Sequence, residues 1–245
     1  MFEVQTISTD WSSDLPGGIT WYFIGQPKSG KTTQAASWSP RGSEGVLVLD
    51  TDLGADFVDK ANVVTIASLN APVRTKEVDG VKVVKNGNPV AELIPPNERG
   101  FYYRTGENKG TPMPVYSLAE VVASLEKDWD SLPYDTVVLD TVDQVNSWIE
   151  EVVKKELNIK EMGEGQWGAD WGKARRKNTD VIVRLQRFLK RVGGNLVLTS
   201  HSKSTTVTDG KAQLSPNLPR GLASALTAKA DVIGYTTCNK EDGAY

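Results

Sequence analysis

The residues that staple or switch a chain are scarce here. Among 245 residues there is one cysteine, Cys238, and one histidine, His201. A single cysteine excludes an internal disulfide and fits a reducing compartment such as the cytoplasm. No apolar run approaches the roughly 20 residues that a membrane-spanning helix needs, so no membrane association is expected. The first residues include Glu3, Asp10 and Asp14 and no long apolar stretch, which does not read as a signal peptide. Charge of neither sign dominates. The formal net charge is -3, so a nucleic-acid contact would have to come from a local basic surface. What remains is ordinary globular composition, with enough chain for one domain, 1–245, and insertions within it.

Short apolar runs alternate with helical patterns. Residues 20–24, 45–49, 136–139 and 195–199 are apolar without period-two alternation, as strands are when both faces of a parallel sheet are covered. Ser117 with Glu120 marks a helix start before Val121, Val122, Leu125 and Trp129. Thr141 with Gln144 marks another, running to about Leu157. A third helix is predicted from about Trp171 to Val192, ended by Gly193-Gly194. The alternation predicts an α/β fold, a mostly parallel central sheet flanked by helices. Two segments break it. In 72–115, residues 81–84, an Asn86-Gly87 turn and 90–94 read as a β-hairpin insertion or arm. Residues 202–219, rich in Ser, Thr, Gly and Pro, read as a mobile loop, and 232–236 as a last strand.

The strongest motif is Gly25-Gln26-Pro27-Lys28-Ser29-Gly30-Lys31-Thr32, followed by Thr33. It fits G-x-x-x-x-G-K-[ST] between a predicted strand and a predicted helix, the context the chemistry requires. Backbone N–H groups of such a loop and the helix N-terminus cradle phosphates. Lys31 reaches the β- and γ-phosphates, and the Thr32 hydroxyl is a magnesium ligand. Lys31 is expected to face solvent. Nucleotide binding also needs a carboxylate for the magnesium shell on a neighbouring strand end. Asp140, closing Thr136-Val-Val-Leu-Asp140, has that place (Walker B), and Asp143 is a weaker candidate. Hydrolysis needs a group that orients or deprotonates water. Asp50 and Asp52 both lie at the end of a strand where such folds bind ligands, and either can instead be a turn or cap residue.

The order of these pieces resembles the RecA-type ATPase core. More closely, the chain is similar to the phage-encoded RecA-like recombination ATPases of AAA type, which work beside single-strand annealing and single-strand-binding proteins. The matching stretches are 25–33, 46–52, 137–141, Trp167-Gly-Ala-Asp-Trp171-Gly, 196–201, 216–219 and 230–234, with 72–115 outside them. The resemblance implies a RecA-like P-loop NTPase core using ATP and Mg2+, with ATP between the subunits of a homo-oligomer. It implies that Asp52 takes the position of the catalytic carboxylate, usually a Glu one methylene longer. His201 falls where a polar residue senses the γ-phosphate, and its plainer reading is a hydrogen-bonded strand end. A phage origin would place the protein in the host cytoplasm. Arg220 and Lys229 are candidates for a cation acting in trans.

A basic face accompanies these motifs. Lys173, Lys177, Arg184, Arg187 and Arg191 fall within about an 80° stripe of the third helix. Such a ridge is a solvated face, or it meets nucleic-acid phosphates or a neighbouring subunit. The 163–172 and 202–219 segments stand where the RecA-type core places its DNA-binding loops. Trp167 and Trp171 could stack on bases or pack in the core, and Lys203 and Lys211 could meet phosphates. The expected function is magnesium-dependent ATP hydrolysis in DNA recombination and single-strand annealing, on single-stranded DNA and with a single-strand-binding or annealing protein as a further partner. The alternative is a P-loop motor or switch acting on a protein. A small-molecule kinase is a weaker third, for want of a lid of clustered arginines.

Overall fold

The computed structural model describes residues 18–54, 61–104, 106–206 and 212–237. Its central sheet has eight strands: β1 (Thr20–Gly25), β2 (Val46–Asp50), β3 (Asn62–Ser68), β4 (Tyr116–Ser117), β5 (Thr136–Asp140), β6 (Asn195–Thr206), β7 (Ala212–Pro216) and β8 (Val232–Thr236). The order is β4-β3-β2-β5-β6-β1-β8 with every pair parallel, and β7 pairs antiparallel with the far end of β6. The helices are α1 (Lys31–Ala36), α2 (Leu118–Asp128), α3 (Val142–Leu157), α4 (Ala169–Arg191) and α5 (Arg220–Thr227).

Strands β2 and β5 are buried at every residue, which is why their sequences do not alternate. Their Leu47, Leu49, Val137 and Leu139 pack with Tyr22 and Ile24 against a core shared with α2, α3, α4 and α5. Their Val46, Val48 and Val138 face the other way and meet Phe23, Ala35 and Ala36. Helix α2 begins at a complete capping box, in which Glu120 N donates to Ser117 Oγ at 3.2 Å and Ser117 N donates to Glu120 Oε2 at 2.8 Å. Helix α4 begins two residues earlier than its periodicity suggests, at Ala169 after Gly168 in the left-handed region. No helix among the described residues is long and apolar enough to cross a membrane.

Three elements depart from the sequence expectations. Strands β3 and β4 were not foreseen, because β3 is half-buried at the sheet margin and polar Asn62, Thr65 and Ser68 interrupt its apolar run. Residues 202–219 are not simply a loop. Residues 202–206 continue β6 and pair with 212–216. The arm is more than one hairpin. The Asn86-Gly87 turn is present with both φ positive (52° and 80°), and Asp79-Gly80 makes a second such turn (52° and 78°). Three short ladders result: Val73–Thr75 with Ala91–Leu93, Glu77–Val78 with Val81–Lys82, and Val84–Lys85 with Asn88–Pro89. They close on one another through Lys76 N to Val90 O, Val83 N to Lys76 O and Val90 N to Val83 O. The arm leaves Val73, Val78, Val81, Val84 and Leu93 exposed.

The arm's return leg is fastened by one guanidinium. Arg99, with its side chain 4% exposed, donates to Ile94 O and Val115 O at 3.0 Å each. It also forks onto both oxygens of Glu120 at 2.7 and 2.8 Å. The carboxylate that caps α2 is therefore also the carboxylate that holds the arm.

Candidate nucleotide site

The loop between β1 and α1 lies at the carboxyl edge of the sheet, where β1, β2 and β5 end and β6 runs on past His201. Gly25 closes β1. A Cβ there would stand 2.0 Å from Thr236 Oγ1 and 2.6 Å from Ser29 Oγ, so only glycine lets the loop fold back over β8. The loop turns through positive φ at Lys28 (62°) and Gly30 (81°). Ser29 N then donates to Gln26 O at 3.2 Å, Ser29 Oγ pairs with Thr236 Oγ1 at 2.7 Å, and Gln34 N begins the helix on Gly30 O at 2.8 Å. Gln26, Pro27, Lys28 and Thr33 lie exposed around this turn.

Lys31 does not face solvent as the sequence suggests. It is 5% exposed and its Nζ donates to Gln26 O at 2.9 Å, so it crosses the mouth of its own loop. The reason is local: a lysine at the first turn of α1 has a backbone carbonyl of the preceding turn within reach. Desolvation lowers its pKa, against the opposing pull of Asp140, Asp143 and Asp52. Beside it, Thr32 Oγ1 donates to Asp140 Oδ2 at 2.6 Å, and Thr199 Oγ1 donates to Asp140 Oδ1. Topology explains the meeting. Strand β6 lies between β5 and β1, so its Thr199 is positioned beside the acid at the end of β5.

The two acids of β2 have different surroundings. Asp50, 2% exposed, accepts from Asp52 N at 3.3 Å and Gly54 N at 3.1 Å, which makes it the organiser of the 50–54 turn. Asp52 is open to solvent as a residue, but its carboxyl faces the cleft, 3.4 Å from Thr141 Oγ1. Partial desolvation and then the Asp140 charge raise its pKa to about 6, while His201 opposes them. A carboxyl poised near neutrality in a cleft is suited to handling the proton of a water molecule.

His201 ends the buried part of β6 opposite Gly25 in the register. Its backbone N–H donates to Asp143 Oδ2 at 3.0 Å, and its Nδ1 lies 4.0 Å from the same oxygen. Burial raises the Asp143 pKa, partly offset by that backbone hydrogen bond and by Ser200. Asp143 therefore serves here as a partner of His201 rather than of Thr32. The other edge of this cluster is buried and polar: Asp143 Oδ1, Tyr22 OH and Ser202 Oγ lack protein hydrogen-bond partners.

Three of the five predicted cations on the basic face of α4 are paired with carboxylates. Lys173 and Lys177 both meet Glu156 at 2.8 Å, and Arg184 forks onto Glu126 at 2.9 and 2.6 Å. Helical periodicity gives the face of α4 these cations occupy, but not the glutamates that α2 and α3 bring across it. Lys203 is exposed and donates to Leu218 O at 2.8 Å. Lys211 lies outside the described residues. Trp171 is 39% exposed, and Trp167 is wholly exposed at φ 56°, which rules out core packing for Trp167. The segment before α4 is firmly built. Buried Asp170 accepts from Gly163 N, from Gly165 N at 3.3 Å and from Trp171 N at 2.8 Å. Sequence reading missed Thr199 and Asp170. The polar end of β6, Thr199-Ser200-His201, carried a signal for the first, and the glycines before Asp170 for the second.

No curated protein matches the chain. Residues 18–245 match the model of a family described as an AAA domain, which spans the phosphate loop, the acid-ended strands and β6. With the loop geometry above, that match over nearly the whole chain means that this protein belongs to the AAA domain family of P-loop ATPases, which bind and hydrolyse nucleotide.

Proposed function

We propose that the protein is a magnesium-dependent ATPase of DNA recombination, acting in single-strand annealing, and that it binds single-stranded DNA as a homo-oligomer in the cytoplasm. The observation that carries the ATPase part is the pair Thr32 Oγ1 and Asp140 Oδ2, 2.6 Å apart beside Lys31. One hydroxyl and one carboxylate are hard oxygen donors that suit Mg2+, which takes few protein ligands and completes its shell with phosphate oxygens and water. Accordingly, no cage of three or more His, Cys, Asp or Glu occurs among the described residues. Lys31 then exchanges Gln26 O for phosphate oxygens, Asp52 orients and accepts a proton from the attacking water, and His201 faces the γ-phosphate position.

The DNA part is supported by the exposed Trp167 on the braced 163–170 segment and by the β6–β7 pairing that starts at Ser202, directly after His201. We read 72–115 as an arm of one ATPase domain. A protein partner is the second reading, favoured by the exposed valines of the arm. The test is ATP hydrolysis by the purified protein with and without single-stranded oligonucleotides. Stimulation by any strand sequence supports the reading. Unchanged turnover, together with no change in oligonucleotide anisotropy at low salt, moves it to the protein partner.

A further inference from the structure

Away from the phosphate loop, a cavity of about 730 Å³ opens between α3, the first turns of α4 and the turn into α5. None of residues 25–33 line it. Three cations reach it, Arg175 from α4, Lys203 from β6 and Arg220 from α5, against one carboxylate, Glu150. Glu150 is held by Asn146 Nδ2 at 2.6 Å, and Lys203 by Leu218 O. Arg175 and Arg220 have no acidic partner among the described residues, unlike Lys173, Lys177 and Arg184 on the rest of α4.

Gly221 leaves room for one of these cations. A Cβ there would stand 3.3 Å from Arg175 Nη1 and 3.4 Å from its Cδ, so the Arg175 side chain lies against the start of α5, and Arg220 lines the same cavity. Two cations without acidic partners in one cavity attract an entering anion. Guanidinium forks match phosphate oxygens in particular. The first turn of α5, which also lines the cavity, adds partial positive charge. Trp171 supplies a different chemistry: a 39% exposed tryptophan whose main-chain N–H is held by Asp170, with Ala174 and Leu222 also in the lining. An aromatic plane in a cavity accepts a flat ring, and stacking is indifferent to which base supplies it. The volume lies within the roughly 300–1,000 Å³ usual for sites that enclose a small ligand.

We propose that this cavity is a second binding site and that its ligand is one nucleotide unit, with the phosphate on Arg175 and Arg220 and the base stacked on Trp171. Two sources offer that chemistry, a free nucleoside monophosphate and one residue of a single strand. The second source rests on the strand-binding reading above.

The experiment fills the phosphate loop with magnesium and a non-hydrolysable ATP analogue, then measures binding of thymidine monophosphate by equilibrium dialysis and of a labelled oligothymidylate by anisotropy. Arg175→Glu and Arg220→Glu are each expected to weaken binding at least tenfold and to flatten the salt dependence of strand binding by about 0.7 in log–log slope for each phosphate no longer neutralised. Trp171→Ala is expected to weaken it about 5- to 150-fold, the range that stacking supplies. Arg104→Glu, the same charge change at an exposed arginine outside the cavity, is expected to leave binding in place. Thermal melts select variants that fold as the parent does, and Arg175→Gln substitutes where charge reversal unfolds the chain. Binding of either ligand with this variant pattern supports the site, and the ligand that binds identifies the source. Strand binding that ignores all three cavity variants, or falls equally with Arg104→Glu, overturns the cavity and leaves the strand reading standing. No binding of either ligand at low salt overturns both.

Discussion

Replacing Arg99 by methionine should loosen the arm from α2, and the structure gives the size of the effect. The substitution removes four hydrogen bonds from one nearly buried guanidinium: those to Ile94 O and Val115 O and the fork onto Glu120. Two carbonyls without donors cost about 1 kcal/mol each. The ion pair can be sized from Glu120, whose pKa falls from an ordinary 4.5 to about 2, chiefly through its hydrogen bonds with Arg99. That drop corresponds to at most about 3 kcal/mol, and screening at a carboxylate still 28% exposed reduces it to about 1–2 kcal/mol. The total is about 3–4 kcal/mol, a loss of roughly 6–16 °C in melting temperature for a chain of this length if it unfolds as one unit. The sign of the pH effect follows from the depressed value. The contribution of Glu120 is fully present above about pH 4.5 and disappears as pH falls toward 2. Urea unfolding of the parent, Arg99→Met, Glu120→Gln and the double variant at pH 7 and pH 3 measures it. The expected coupling is about 1–2 kcal/mol at pH 7 and clearly smaller at pH 3. A coupling below about 0.5 kcal/mol at pH 7, or one unchanged at pH 3, refutes the argument that this pair fastens the arm.

The remaining predictions concern the nucleotide edge and its supports. Lys31→Ala should lower ATP turnover by at least about 100-fold, because it removes charge from the transferring phosphate, and should shift the melting temperature little; turnover at the parental rate contradicts the loop assignment. Asp52→Asn should lower kcat by about 10²–10⁴-fold while nucleotide affinity changes little, as steady-state kinetics beside direct nucleotide titration will show. Asp140→Asn should instead weaken magnesium-dependent nucleotide binding, so equal nucleotide affinity with and without Mg2+ in the parent protein argues against its role. Asp170→Ala should lower the urea midpoint and free Trp171, seen as faster indole quenching by acrylamide, because Gly163, Gly165 and Trp171 lose the acceptor of their N–H groups.

Much of the fold was legible because its signals are local. The buried strands β2 and β5 announce themselves as unbroken apolar runs ending in an acid, and the capping box at Ser117 needs only four consecutive residues. The phosphate loop is likewise continuous in sequence. What stayed hidden depends on residues far apart in the chain. Arg184 is neutralised by Glu126, 58 positions earlier, and Thr199 meets Asp140, 59 positions earlier. No periodicity on α4 reveals which carboxylates α2 and α3 hold across from it. The three-way closure of the arm was hidden differently. Asp79-Gly80 is as strong a turn signal as Asn86-Gly87, but mutual pairing of three very short segments leaves no run long enough to read as a strand.

The choice between Asp50 and Asp52 is argued by geometry that no pattern contains. Both close a strand at the same sheet edge, and register even pairs Asp50 with Asp140. The side chain of Asp50, however, is spent on the N–H groups of Asp52 and Gly54, so it shapes the turn that presents its neighbour to the cleft. The same division of labour recurs on β6. Thr199 supports Asp140, and His201 is held at both ends, its N–H by Asp143 and its carbonyl by Asn217 N at 2.7 Å. Asn217 lines the second cavity. One backbone hydrogen bond therefore joins His201 at the nucleotide edge to the wall of that cavity. One strand thus carries the acid's support, the polar end that faces the phosphate loop and, through Lys203, a rim of the second cavity.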